Sequence, residues 1–530
     1  MKFVNVLFVV LLYCTHLSAQ VTLPNNLYFT HIGVEDGLCQ NTVCCILQDH
    51  LGFIWLGTKD GLTRYDGYRF RVFKHDAADP MSIGNNFIRV LYEDADGLIW
   101  IGTNVGVYIY NPETENFRKF DVATERGDVI SREVSSIKCD SSGDLWIGVN
   151  WQGVFRYDRR DESLELYEPV PGDTTSLSSV HVWDLCFDGD GNLWVGSQNG
   201  GLDRYDRETD RFVRHRLKGL SDVSRIVLDK QNQLLLGTMK DGLFSFNPYM
   251  GTCQPLLLDS GHKDLFVRAI FVRNSREVVV GTENGIYIYD CVTRKTRHVN
   301  QELGNPYSLS CKAVYSIYCD KEGALWIGTY FGGVNYLPPS SSLIFDKFYP
   351  IGHSDRLSGK AVREFVRDES GIIWIGTEDQ GLNRFDPVSG KFTHYNSRNS
   401  GLSCDNVHGL CVDGDRLYIG TFFGGFNIMD LKTNEIVALG SQMLPDDSVF
   451  SIFRDHDGRI WVGLTYGLCL FHPEDGSFEL VREIPENLFI YDIYQGDDGI
   501  IYFAAYNRGV ITYNPHTGKW GQVESGDEGL

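Results

Sequence analysis

The phrase Ile54-Trp55-Leu56-Gly57-Thr58 recurs ten more times along this 530-residue chain. The copies are Ile99 to Thr103, Leu145 to Val149, Leu193 to Ser197, Leu234 to Thr238, Val278 to Thr282, Leu325 to Thr329, Ile373 to Thr377, Leu417 to Thr421, Ile460 to Leu464 and, worn down, Ile501 to Ala505. Their central positions lie 41 to 48 residues apart. A fixed period in the forties with strand-like content is the signature of a propeller blade, which cannot bury its faces alone and must stack on neighbours.

Each copy has the same internal order. An apolar run such as Val134 to Asp140 leads to a polar turn, Ser141-Ser142-Gly143. Leu145-Trp146-Ile147-Gly148, a second glycine turn, Gly153 to Asp158, and an alternating edge, Leu164-Glu165-Leu166-Tyr167, complete the unit. That reads as four short antiparallel strands. The first run is apolar at both parities (Val43, Ile46, Leu47), as a strand covered on both faces requires. Glycine breaks every run too soon for helices. Gly52, Gly97, Gly143, Gly191, Gly323, Gly371 and Gly458 sit in D-x-x-G turns, and the tryptophans that follow read as wedges between blades. The fold class is therefore all-β. It comprises one seven-bladed β-propeller followed by an incomplete second propeller of about four blades.

The chain divides into three parts on this reading. Residues 1–19 are a signal peptide, with Lys2 ahead of the apolar stretch Phe3 to Tyr13 and a cut after Ala19. That stretch is too short to span a bilayer, and the mature chain holds no membrane span. Residues 20–338 form the first ring, ending at Leu337-Pro338-Pro339-Ser340-Ser341-Ser342. Tyr28 to Ile32 resembles an outer strand without a blade, so it is expected to complete blade seven. Leu343 to Tyr349 would play the same part for the second propeller, residues 339–530. The end, Gly526 to Leu530, repeats the lead-in Val34 to Leu38, as though a twelfth blade were about to start, which reads as the front part of a longer protein.

A net charge of −22 without a basic block argues against nucleic acid as a partner. Twelve cysteines follow Ala19. Cys44, Cys45, Cys139, Cys186, Cys319 and Cys411 fall in first strands as small apolar residues, so free thiols are expected rather than disulfides. No cysteine-histidine spacing suits zinc, and no cofactor is called for. Asp188-Gly189-Asp190-Gly191-Asn192 resembles a calcium loop but has Asn199 where the bidentate glutamate belongs, and reads as a hairpin turn.

With these motifs in hand, the chain resembles the periplasmic sensor region of hybrid two-component systems from glycan-utilising gut bacteria. The residues that carry this are Asp36-Gly37-Leu38 with Asn41, the D-x-x-G-x-[IL]-W-[IL]-G-T core, Gly61 to Asp66, and the linkers Asp79-Pro80-Met81-Ser82-Ile83 and Asn305 to Leu309. The resemblance implies two seven-bladed propellers that sense oligosaccharides from polysaccharide breakdown. In such proteins a β-sandwich, a membrane helix, a histidine kinase, a receiver and a DNA-binding module follow, none of which this sequence contains. It implies a periplasmic location, inner-membrane attachment only in a full-length form, room for a homodimer of that form, and no kinase activity here.

Candidate ligand residues follow from blade geometry. The loop entering the first strand and the loop between strands two and three share the face around the channel. The second loop offers Trp151, Tyr330, Phe331, Phe422, Phe423, Tyr466 and Tyr506. First strands bring Arg89, Trp183, Arg268 and Tyr315, then Arg363, His408, Phe450 and Tyr491. Aromatic platforms with a few polar groups suit sugar rings; the alternative is that these side chains pack between blades. Tyr330-Phe331-Gly332-Gly333 and Phe422-Phe423-Gly424-Gly425 flank the expected ring boundary, which places a ligand near the junction of the two propellers. The competing function classes are a propeller enzyme acting on glycans, lyase or hydrolase, and a protein-interaction scaffold. Against the enzyme, Ile or Leu precedes each tryptophan where sialidase turns carry threonine, and the fourteen histidines form no cluster of a streptogramin-lyase kind.

Overall fold

The computed structural model describes residues 22–217, 220, 222–257, 265–339, 347–349, 356–439, 444–485, 488–506 and 508–523. The expected signal peptide lies outside them. Among the described residues the chain forms eleven four-stranded antiparallel sheets, and no helix is long and apolar enough to cross a membrane. It separates into two compact units, Met1–Asp346 and Lys347–Leu530.

The D-x-x-G-x-x-W turn explains why seven of the eleven blades turn alike between their first two strands. In blade one the Asp49 carboxylate accepts the Phe53 amide at 2.9 Å with one oxygen and the Trp55 indole N–H at 2.8 Å with the other. Asp94 and Trp100, Asp188 and Trp194, Asp320 and Trp326, and Asp368 and Trp374 repeat this at 2.8 Å, and Asp455 and Trp461 at 2.9 Å. The buried acid is thus fully occupied, and the tryptophan is both wedge and donor. At Asp188 the same carboxylate also holds the amides of Asp190 and Asn192, so the calcium-like segment is a hairpin turn.

The fourth position of the repeat is glycine in ten blades because the next blade presses on it, and alanine, Ala504, in the last one. A Cβ on Gly102 would lie 2.6 Å from Val134 Cγ1 of the following blade, and one on Gly281 would lie 2.6 Å from Val314 Cγ1. The seventh glycine, Gly328, would meet Val43 Cγ1 of blade one at 2.8 Å. Blade seven therefore stacks on blade one, and the first unit is a closed ring of seven sheets.

The clasp is the N-terminal strand. Thr30–Ile32 pairs antiparallel with Val334–Leu337, with Thr30 opposite Tyr336 and Ile32 opposite Val334. Blade seven, which contains Trp326, is thus built from both ends of the unit, and the ring leaves its outermost strand paired. Phe29 is 1% exposed in this seam, and its amide donates to the Tyr307 carbonyl at 2.9 Å. Further upstream, Arg297 donates to the carbonyls of Pro24 and Asn25.

The second unit holds four blades, beginning at Val362, Val407, Val449 and Ile490. Val407, Val449 and Ile490 are fully buried against the preceding blade, whereas Val362 is 46% and Phe365 70% exposed. Most of Leu343 to Tyr349 lies outside the described residues; Phe348 packs edge-on against Phe385 and Phe392 at 5.0 and 5.6 Å.

Candidate functional site

A β-bulge aims the side chains. In blade one the register jumps between Val43 and Cys45, which leaves Cys44 outside the ladder. The same jump frees Arg89, Ser135, Trp183, Arg268 and Tyr315 in the first unit, and Arg363, His408, Phe450 and Tyr491 in the second. Bulges re-aim side chains and terminate pairing, and recur next to binding sites. Every first-strand candidate residue occupies this position.

In the first unit the bulge residues join the strand-two-to-three loops in one continuous cluster. Arg89 Cζ lies 4.7 Å over the Phe87 ring, and Lys59 Nζ sits over Phe87 at 5.7 Å and over Tyr330 at 4.2 Å. Tyr330 packs on Phe331 at 4.2 Å and on Tyr315 at 5.1 Å. Arg268 stacks between Tyr315 at 4.6 Å and Phe266 at 3.9 Å, and Phe266 meets Trp183 at 6.1 Å. The Trp183 indole nitrogen is buried without a hydrogen-bond partner. Six of the candidates, Arg89, Trp183, Arg268, Tyr315, Tyr330 and Phe331, thus come together from blades far apart in sequence. Trp151 stands beside His181 of blade four, edge to face at 4.1 Å.

Cys44 sits among the cations. Burial pushes its thiol up to about 11, against the opposing pull of Arg89, Lys59, Arg268 and Arg225. The raised thiol stays protonated, as expected of a cysteine in a first strand, although Cys44 lies at the bulge and is only half-buried. All twelve described cysteines are free, and Cys186, Cys411 and Cys469 are the buried ones.

The second unit builds a different surface. His408 packs on Phe450 at 4.2 Å and on Phe422 at 5.6 Å, and Phe422 on Phe423 at 4.0 Å. Phe450 continues to Phe489 at 4.4 Å and Tyr491 at 5.3 Å. Arg363 is the cation here, bonded to Glu378 at 3.2 Å and donating to the Tyr491 hydroxyl at 3.1 Å. Burial, then the neighbouring Arg363 charge, lowers His408 to about 4, so its ring is neutral at physiological pH. Tyr466 is 64% exposed, apart from this cluster.

Two loop aromatics are held in strained backbone. Trp151 has φ 70° and Phe423 φ 67°. Their counterpart in blade four is Asn199, at φ 59°, a residue that tolerates the left-handed region where a bulky side chain is a rare outlier. Both aromatics are nevertheless largely exposed, 65% and 70%, each resting on one neighbouring ring, His181 and Phe422.

Sequence reasoning missed Lys59, Phe87, Arg225, Phe266 and Phe489. Phe87, Phe266 and Phe489 precede the buried Ile88, Val267 and Ile490, so they share a face with Arg89, Arg268 and Tyr491 by the two-residue period of a strand. Lys59 was passed over because only aromatics were sought in its loop. Arg225 pairs with Gly237 as Cys45 pairs with Gly57 and Val90 with Gly102, a register where a small or apolar residue is expected.

Four-stranded blades stacked in this way, with an N-terminal strand completing the ring of the first unit, define a β-propeller. The family described as Two component regulator propeller matches residues 37–60, 82–105, 176–199, 308–331 and 443–466. The extracellular domain of the putative hybrid two component system BT3049 from B. thetaiotaomicron superposes with a TM-score of 0.61 at 23% identity, covering 94% of this chain and 78% of that one. The extracellular domain of the putative one component system BT4673 from the same organism follows at 0.51 and 20% identity, over 94% and 74%. Among curated proteins, Histidine kinase P4 of Formosa agariphila is 39% identical over 59 residues. That match spans 11% of this chain and 4% of the kinase.

Proposed function

We propose that this chain is the extracytoplasmic sensing region of a two-component signalling protein and that it binds an oligosaccharide without turning it over. The observation that carries this reading is the pair Trp151 and Phe423. A bulky aromatic kept in left-handed backbone and exposed to solvent destabilises the fold, so its retention points to a ligand that stacks on it. The regulator-propeller repeats supply the signalling context, and the periplasmic side of the inner membrane is the compartment that context requires. His181 and Asn150 near Trp151, and His408, Arg363 and Tyr491 in the cluster that Phe423 adjoins, offer hydrogen bonds of the kind a sugar's hydroxyl rim needs.

Calorimetric titration of the purified chain against a panel of neutral and acidic oligosaccharides tests the reading. Saturable binding with unchanged sugar recovered afterwards is the expected result. Product formation from any panel member would make the chain an enzyme, and no heat with any sugar would leave a protein-binding scaffold as the better account.

A further inference from the structure

The mouth of the first ring is cationic in a chain whose net charge is −22. Lys59 and Arg89 share the Phe87 ring, Lys59 and Arg268 reach the touching rings of Tyr330 and Tyr315, and Arg225 donates to the Arg268 carbonyl, so that all four charges bear on the Cys44 thiol. Three carboxylates bear on this group, and each is already engaged. Glu133 pairs with Arg89, and Glu283 with Arg268 at 2.5 Å. Asp184 accepts from Ser136 Oγ at 2.9 Å, from the Leu185 amide at 2.9 Å and from the Ile226 amide at 3.1 Å.

Four cations against three carboxylates leave one positive charge in excess, and two of the cations form no ion pair among the described residues. Lys59 donates to the Tyr330 hydroxyl at 3.1 Å and forms no ion pair among the described residues. Arg225 donates to the carbonyls of Arg268 at 2.7 Å and Ser224 at 3.0 Å, and likewise has no carboxylate partner there. A part-buried guanidinium whose nearest counter-charge, Asp184, bears on it without an ion pair is better satisfied where a ligand supplies a second negative charge. The fork held by the two carbonyls is oriented, and it shares the mouth with the unpartnered indole nitrogen of Trp183 and the rings of Tyr315 and Tyr330.

We infer that the mouth of the first ring binds an anionic oligosaccharide, carboxylated or sulfated, with Lys59 and Arg225 facing its acidic group and Trp183, Tyr315 and Tyr330 against its rings. This rests on the proposed sugar recognition and assigns it a ligand class and a place. Arg225 is the specificity determinant, since its guanidinium presents paired donors to a planar or tetrahedral oxyanion.

The test titrates the whole chain with a galacturonate trisaccharide, its methyl ester, a sulfated galactose oligomer and inorganic sulfate. An acidic sugar should bind at least about tenfold more tightly than the ester, and more weakly as salt screens the charges. Lys59→Gln should reduce that preference about tenfold with an unchanged thermal midpoint; Arg225→Gln should remove it, with the midpoint showing whether the ring remains closed. Equal binding of acid and ester would overturn the inference while leaving sugar recognition intact. Inorganic sulfate competing as well as the sugars would show a simple ion site and overturn it too. An acid preference that survives both substitutions would move the site elsewhere, and failure of every sugar would remove both readings.

Discussion

Val43 and Val362 open the first strands of the two units, yet one is fully buried and the other 46% exposed. The same residue in the same blade grammar has a different fate because Gly328 of the closing blade covers Val43. The mouths differ in the same instructive way. The ring gathers four cations around Cys44, whereas the four-blade unit gathers five aromatic side chains around His408 and Arg363. Blade architecture is constant between the units, and chemistry varies at the bulge and the loop that adjoin the mouth.

The largest expected difference lies in the clasp. Phe29→Ala should destabilise the ring by about 3–5 kcal/mol, since a fully buried aromatic is lost from the seam. The transition of the second unit should stay where it was. Scanning calorimetry resolves this, and one transition shifted as a whole would show that the units unfold together.

The paired valines give a smaller contrast. Val43→Ala should cost about 1–3 kcal/mol and Val362→Ala less than about 0.5, because only the first leaves a cavity. Equal costs in denaturant titration would mean that Val362 is covered in solution.

Acid and base should act on the units with opposite sign. Asp203 is fully buried in the slot that Asn335, Asn383 and Asn427 occupy in other blades. Ser178 donates to one of its oxygens through its amide at 2.9 Å and its hydroxyl at 2.6 Å, while the other oxygen has no partner. Burial, opposed by those Ser178 hydrogen bonds, raises its carboxyl to about 6. The folded ring therefore holds a proton that the unfolded chain releases near 3.8, and stability is full below that value and falls as pH rises toward 6. Asp203→Asn should remove this loss and stabilise the ring at pH 7 by about 1–3 kcal/mol. His408 works the other way. Its folded value is depressed, so stability is present above about 6.5 and falls as pH drops toward 4. A pH series followed unit by unit, with His408→Phe as the second variant, would expose any common trend that defeats this assignment.

The largest change in binding should accompany only a modest gain in stability. Trp151→Asn and Phe423→Asn place a residue tolerant of left-handed backbone where Asn199 already stands, and each should stabilise by about 1 kcal/mol while weakening sugar binding about tenfold or more. Tyr330 and Phe422 are less clean targets, because both rings are half-buried against Tyr315 and Phe450. A loss of stability in the asparagine variants would make the loop aromatics packing residues after all.

Much of this molecule was legible in one dimension. The period announced blades, the orphan Tyr28 to Ile32 announced the clasp, and the D-x-x-G-x-x-W spacing placed the turn, because each is a local or repeating constraint that stacking imposes on every copy. The role of Asp49 and its equivalents as acceptors for the tryptophans was present in that spacing but not read from it. The mouth was legible only as positions. Pattern put Arg89, Arg268 and Tyr315 on the right face, since a strand's two-residue period decides which way a side chain points. It did not disclose that Lys59 lies over Tyr330, or that Arg225 donates to the Arg268 carbonyl. Those meetings join residues 271 and 43 positions apart, and they exist because ring closure brings each blade's inner edge to a common axis, a distance that no local spacing encodes.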